Sequence, residues 1–163
     1  MDLSKYGFEE LLLAAIKSEV EAKDVYLKLA DRVKNAFLKG RLRLLAKEEE
    51  GHREALERMY HLKFDDKEIV LPEHTEVPLP HIEIGDENEP ISLVLESAMA
   101  AERASEEFYR ELSNRVDDLE IKNMLVLLGE MENTHYHILN KEYENLKRFE
   151  EYDMVWPMMH VGP

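Results

Sequence analysis

The 163-residue sequence predicts an all-α four-helix bundle, built from two helical hairpins joined by a long crossover. Four long amphipathic segments predict it first, because their apolar residues recur at the three- and four-residue spacing of a helix face. The connections within each pair of segments are short, whereas a proline-containing stretch separates the two pairs. An internal repeat relates the first pair to the second, and no segment alternates as a strand does.

Each predicted hairpin closes in a short turn. The four predicted helices cover residues 5–34, 37–62, 90–116 and 118–149. Asn35 lies in the first turn, and in the second turn Asp117 and Glu120 have the spacing of a capping box. Because short connections favour antiparallel neighbours, the first hairpin is expected over residues 5–62 and the second over residues 90–149.

The stretch between the hairpins, residues 63–89, is predicted to be a crossover linker, because its prolines cannot lie within one helix. A helix of about 25 residues is roughly 38 Å long, and a linker of this length can run back along it. The chain is therefore expected to fold as a single domain over residues 1–163. Its C-terminal tail, residues 150–163, contains Trp156 and is predicted to form a lid or a subunit contact.

The internal repeat determines how the bundle is organised. Residues 17–33 align without a gap with residues 100–116, and the second helices align at the same offset of 83 residues, which is the separation of Glu19 and Glu102. At this offset Glu49 pairs with Glu132, His52 with His135, and Tyr26 with Tyr109. The sequence therefore predicts two copies of one helical hairpin, related by a pseudo-twofold axis through the bundle.

Six polar side chains interrupt the apolar faces of these helices. Each hairpin has one glutamate on its first helix and a Glu-x-x-His pair on its second, at positions where the pattern calls for apolar residues. The six are Glu19, Glu49, His52, Glu102, Glu132 and His135. Positions i and i+3 project from one face of a helix, and counting from each turn puts all six at one height. They are expected to meet in one layer of the interior.

Four buried carboxylates need compensating positive charge, because unpaired charge in a core costs several kcal/mol per ion. Two divalent cations supply it, and oxygen and nitrogen ligands suit iron or manganese, with zinc also possible. The chain has no cysteine, which excludes disulfides, thiolate-bound metals and a cysteine nucleophile. A single Glu-x-x-His on an acidic helix is usually a solvated face, but its duplication at a fixed offset favours a two-metal centre.

Other aromatic and histidine residues fit this site less directly. Tyr26 and Tyr109 lie one heptad after the first-helix glutamates, so they could hydrogen-bond the ligand carboxylates, with core packing and a hydrated hydroxyl as the alternative. His137 lies about 200° around its helix from the neighbouring ligand histidine and should point away. Surface positions are expected for His61, His74, His81 and His160.

The charge composition indicates which classes of binding partner are favoured. The formal net charge is −15, which disfavours nucleic acid and anionic membranes and favours cations or basic protein surfaces. There is no signal peptide pattern and no apolar run long enough to span a bilayer. The expected setting is the cytoplasm.

The motifs that carry these residues resemble the rubrerythrin-like branch of the ferritin-like superfamily. They are AIKSEVEAKDVYLKLA, LLAKEEEGHREAL, ESAMAAERASEEFY and LLGEMENTHYHIL, and the resemblance covers residues 5–149. It implies a ferritin-like four-helix bundle and assigns the six side chains as metal ligands. It also implies a non-haem diiron oxidoreductase that acts on hydrogen peroxide or dioxygen.

The chain departs from rubrerythrins in two ways. Rubrerythrins carry a rubredoxin domain with four thiolates, and without cysteine this chain is expected to take electrons from an external donor such as a rubredoxin-type protein. Rubrerythrins also have a further glutamate three residues beyond the third-helix ligand, where this sequence has Ser105. Glu106 is a possible substitute, and with six ligands the set equally resembles that of bacterioferritins.

Three functions are therefore considered. The leading hypothesis is a rubrerythrin-like oxidoreductase that assembles as a homodimer or a larger homo-oligomer. The first alternative is a ferroxidase or an iron-binding protein of the ferritin type, which needs a hollow multi-subunit shell. The second is a helical interaction module with an incidental metal site.

Overall fold

The computed structural model describes residues 1–65, 67–79, 82 and 90–155, with side chains described as far as residue 148. Within these residues the chain forms four α-helices and no strand. The helices are α1 Phe8–Arg32, α2 Ala36–Lys63, α3 Ile91–Ser113 and α4 Leu119–Val155. The predicted all-α four-helix bundle is confirmed. None of the described helices is long and apolar enough to cross a membrane.

Polar caps start α2 and α4. The Asn35 side chain accepts hydrogen bonds from two backbone N–H groups at the start of α2, at 2.9 and 3.1 Å. The predicted capping box of Asp117 and Glu120 is wrong. Because α4 begins one residue later than that box requires, Asp118 is the cap, and its carboxylate accepts from the N–H of Glu120 at 2.9 Å.

The helix ends differ from the predicted ones by a few residues. α1 begins at Phe8 because the preceding residues turn and bury Leu3 and Tyr6 in the core. α3 ends at Ser113, where backbone N–H groups of the next two residues close a tight turn. α4 continues past the predicted end at 149 as far as Val155. The rest of the predicted tail, with Trp156 and His160, lies outside the described residues, as does His81.

Two apolar clusters fill the bundle, one on each side of a polar layer. One cluster includes Leu12, Ile16, Leu56, Phe108 and Leu125. The other includes Leu29, Leu42, Leu45, Val94 and Leu139. All ten side chains are almost completely removed from water, which contributes roughly 1.5–3 kcal/mol for each large residue. The polar layer therefore lies between two well-buried apolar clusters.

The order of these clusters along the chain gives the direction of each helix. α1 and α4 pass from the first cluster to the second, whereas α2 and α3 pass from the second to the first. The helices that correspond in the repeat, α1 with α3 and α2 with α4, are therefore antiparallel. This agrees with a pseudo-twofold axis across the bundle, which exchanges the two hairpins.

Replacing Gly40 with alanine is expected to stabilise the protein by about 1 kcal/mol. Glycine inside a helix costs backbone entropy, and a Cβ added at Gly40 meets no atom within 4 Å, so no clash opposes the gain. Urea unfolding of the metal-free protein measures the change. Gly7→Ala is the control, because Gly7 caps α1 outside the helix and alanine is a poor cap. Equal gains in both variants would contradict the helix-propensity explanation.

Candidate metal centre

The six predicted side chains meet in the polar layer between the apolar clusters. Each of them is at most 4% exposed. They are Glu19 on α1, Glu49 and His52 on α2, Glu102 on α3, and Glu132 and His135 on α4. Each Glu-x-x-His pair faces inward because the apolar residues before and after it on the same helix face are buried in the two clusters.

His52 directs its Nδ1 atom toward three carboxylates. The nearest oxygens are Glu132 Oε1 at 2.9 Å and Glu49 Oε2 at 3.2 Å. Glu19 Oε2 follows at 3.5 Å. Because one of these glutamates comes from each of α1, α2 and α4, the imidazole holds a position where three helices converge.

His135 has matching surroundings on the other side of the layer. Its Nδ1 atom lies 3.0 Å from Glu49 Oε1 and 3.6 Å from Glu102 Oε2. Glu132 Oε2 is 3.7 Å away. The rings of His52 and His135 stack with centroids 5.2 Å apart and an angle of 16° between their planes. Glu49 and Glu132 therefore face both imidazoles.

These short distances are not satisfied hydrogen bonds. Among the described residues, the buried atoms without a hydrogen-bond partner include Glu49 Oε1, His52 Nδ1, Glu132 Oε1 and His135 Nδ1. Two atoms that each lie about 2.1 Å from one cation are about 3.0–3.4 Å apart, and the nitrogen–oxygen distances of 2.9–3.7 Å span this range. The four residues bring their ligand atoms within 4.8 Å of one another, so the cluster could hold a metal ion.

Protons neutralise much of this layer in the metal-free protein. Burial, together with the charge of Glu49, raises the pKa of Glu19 to about 7. Burial and a neighbouring carboxylate likewise raise the pKa of Glu102 to about 8. Burial alone would lower the pKa of His52, but the carboxylates around it raise that pKa to about 12, and His135 has its pKa raised for the same reason. The surrounding carboxylates therefore favour the protonated form of each imidazole when no metal is bound.

Two buried tyrosines cross from one hairpin to the other. The hydroxyl of Tyr26 donates a hydrogen bond to Glu102, and the hydroxyl of Tyr109 donates one to Glu19. Both tyrosines are at most 1% exposed. Each hydroxyl therefore restrains a carboxylate that belongs to the opposite half of the repeat.

Some candidate residues remain outside this layer. Glu106 forms ion pairs with Arg103 at 2.8 Å and with Arg110 at 2.5 Å, so its carboxylate is held on the outer face of α3. His137 is exposed, as expected from its angle on the helix. Glu106 does not supply the carboxylate that is missing at Ser105.

The spacing of apolar residues along α2 does not predict that the Glu48 carboxylate contacts His135. Its Oε2 atom lies 3.1 Å from His135 Nε2, across the space between α2 and α4. Glu48 precedes Glu49 and is turned about 100° from it around α2, which periodicity assigns to the surface. The only signal in the sequence is a departure from the repeat, because the corresponding residue in the second hairpin is Met131.

Two openings reach the polar layer from opposite sides. A small cavity of about 20 Å³ lies between α1 and α3, and its lining includes all four buried glutamates together with Ala22 and Ser105. This volume is enough for about one water-sized molecule. A wider groove of about 480 Å³, lined mostly by apolar residues, lies between α2 and α4 and reaches His52.

The antiparallel bundle and its buried Glu/His layer define a protein of the ferritin-like class. The family model named Rubrerythrin matches residues 10–143, and the chain belongs to this family. The predicted resemblance to the rubrerythrin-like branch is therefore confirmed.

Solved structures share this fold. A hypothetical protein from Pyrococcus furiosus is 34% identical, with a TM-score of 0.84 over 91% of this chain and 95% of that one. KatB, a manganese catalase from Anabaena, is 23% identical, with a TM-score of 0.67 over 90% and 78% of the two chains. A dodecameric thioferritin, the bacterioferritin-related protein from Bacteroides fragilis, is 18% identical, with a TM-score of 0.70 over 89% of each chain. The last two share the fold alone. A comparison with curated proteins gives no match.

Proposed function

We propose that this chain is a dimetal oxidoreductase of the rubrerythrin type, which reduces hydrogen peroxide or dioxygen with electrons from an external donor. The proposed cofactors are two iron ions, with manganese or zinc as alternatives. The proposed ligands are Glu19, Glu49, His52, Glu102, Glu132 and His135. The observation that carries the proposal is the pair of buried Nδ1 atoms, each facing three carboxylates at 2.9–3.7 Å without a hydrogen bond.

The geometry suggests distinct roles for the four glutamates. Glu49 and Glu132 each face both imidazoles, so each would help to hold both cations. Glu19 faces only the first imidazole and Glu102 only the second, so each is assigned to one cation. Charge supports this assignment, because four carboxylates and two neutral imidazoles balance two divalent cations.

The two tyrosines are assigned to hold the outer carboxylates in place. Tyr26 and Tyr109 donate hydrogen bonds to these carboxylates from positions that water does not reach. A carboxylate whose orientation is already fixed by a hydrogen bond loses less conformational freedom when it binds a cation. The bonds also join the two hairpins, which should keep both halves of the site in register.

The size of the opening between α1 and α3 supports a small oxidant. A cavity of about 20 Å³ beside the buried glutamates has room for a molecule close to water in size. Two redox-active cations held by these ligands would supply two electrons, enough to convert one hydrogen peroxide and two protons into two waters. Because the chain has no cysteine, we assign re-reduction to a separate donor such as a rubredoxin-type protein.

Anaerobic mixing of the diferrous protein with hydrogen peroxide tests this proposal. The expected result is oxidation faster than that of free ferrous ion, with one peroxide consumed for every two irons and no dioxygen released. A catalase would instead release one dioxygen for every two peroxides, without consuming a reductant. Oxidation no faster than free ferrous ion would contradict the proposal.

A ferroxidase or iron-storage function is the second candidate, because a net charge of −15 attracts ferrous ions to the surface. Storage requires a hollow shell, and the similar bacterioferritin-related protein is dodecameric. Size-exclusion chromatography with light scattering separates the two functions. We propose a homodimer in the cytoplasm, whereas a closed shell that retains ferric iron would favour storage.

A further inference from the structure

The two histidines of the candidate metal centre differ at their outer nitrogen atoms. His135 Nε2 lies 3.1 Å from the Glu48 carboxylate. His52 Nε2 is buried and has no hydrogen-bond partner among the described residues. The residue that corresponds to Glu48 in the other hairpin is Met131, which lines the apolar groove over His52. The repeat is therefore broken at the one position that would give His52 a matching acceptor.

A carboxylate at the outer nitrogen affects how an imidazole binds a cation. It keeps the proton on Nε2, so the lone pair of Nδ1 points toward the carboxylate layer, and it fixes the ring orientation. It also makes the imidazole a stronger ligand, and loss of such partners typically weakens metal binding by about 10- to 100-fold. His135 has this support, and His52 lies under a groove whose lining includes Leu44, Leu128 and Met131.

We propose that Glu48 is a positioning residue that makes the two cation positions inequivalent. The position at His135 binds a divalent cation more tightly and fills first. The position at His52 fills second, because no described residue accepts a hydrogen bond from Nε2 of that imidazole. This inference depends on the proposed dimetal function, since it concerns the order in which the same site is loaded.

Titration of the metal-free protein with Co²⁺ tests the order of loading. Absorption and calorimetry are expected to resolve two binding steps whose affinities differ by about 10- to 100-fold. Glu48→Gln should weaken the first step by that factor and leave the second unchanged. Met131→Glu should restore the repeat and tighten the second step until the two merge. Glu54→Gln is the matched control, because Glu54 is an exposed residue of α2 that faces Arg58.

Each outcome has a defined meaning. If the wild-type protein binds no Co²⁺, the proposed dimetal function fails. If it binds two ions with equal affinity, or if Glu48→Gln changes no more than Glu54→Gln, the centre exists and Glu48 is only a surface charge. If Glu48→Gln fails to fold, Met131→Glu decides, because tighter binding cannot arise from a damaged fold. An unchanged second step in Met131→Glu overturns the proposal.

Discussion

Replacing Glu49 with alanine is expected to abolish stable binding of both divalent cations. One oxygen of this carboxylate lies 3.2 Å from His52 Nδ1 and the other lies 3.0 Å from His135 Nδ1, so its loss removes a ligand from both positions. Removing one partner from a buried charged cluster typically costs about 3–5 kcal/mol, and a cost of that size in cation binding corresponds to a loss of affinity on the order of 100- to 4,000-fold. Elemental analysis and calorimetric titration with Co²⁺ measure the loss.

The neighbouring Glu50 provides a matched control. It carries the same charge on the same helix, but its carboxylate pairs with Lys23 at 2.9 Å and with Arg53 at 2.7 Å on the outer face. Glu50→Ala should therefore keep both cations. Glu19→Ala should weaken cation binding at the His52 position and leave the His135 position unchanged, because His52 is the imidazole that Glu19 faces. If Glu49→Ala retained both cations at wild-type affinity, the proposal that Glu49 helps to hold both of them would be contradicted.

The buried polar layer is the part of the structure that the sequence predicts best. Glu49 and His52 interrupt an apolar face, and periodicity alone turns such an interruption inward. The duplication provides a second observation of the same pattern, so an accidental match becomes improbable. Counting residues from the two turns then sets the heights correctly, because an α-helix rises by a constant 1.5 Å per residue.

Contacts that depend on the pairing of helices are harder to predict. Tyr26 is seven residues from Glu19, about 10.5 Å along α1, which is too far for a hydrogen bond within that helix. It reaches Glu102 instead, because α1 and α3 run antiparallel through the layer. Glu48 is a further example, since a partly exposed carboxylate reaches His135 only through the spacing of α2 and α4. Helix periodicity predicts neither the contact of Tyr26 with Glu102 nor that of Glu48 with His135.

Raising the pH from about 6 to about 9 is expected to destabilise the metal-free protein. Glu19 and Glu102 have their pKa values raised from 4.5 to about 7 and about 8, so the folded state binds these protons more tightly than the unfolded state. The resulting stability is fully present below about pH 4.5 and is lost as the pH rises through the folded values. His52 acts in the same direction, because its pKa is raised from 6.5 to about 12.

The expected loss is a few kcal/mol, since each pKa unit corresponds to about 1.4 kcal/mol, and it should lower Tm by on the order of 10 °C. Scanning calorimetry of chelator-treated protein measures it. The double variant Glu19→Gln with Glu102→Gln should reduce the dependence, because amides do not titrate, and the contribution of the histidines should remain. Glu50→Gln should leave it unchanged, since Arg53 and Lys23 lower the pKa of Glu50 to about 2, outside this range. A Tm independent of pH would contradict the prediction.

The same protons determine how the metal-free site accepts cations. Near pH 6, the raised pKa values of Glu19, Glu102 and the two imidazoles favour their protonated forms before any metal binds. Ligation requires deprotonated groups, so two divalent cations should displace about four protons from these four residues. Calorimetry in buffers of different ionisation enthalpy counts these protons, and the count should fall as the pH rises. His137→Asn removes an exposed imidazole from α4 and should not change the count. Because protons and cations compete for the same atoms, apparent affinity should rise with pH as the metal-free fold weakens.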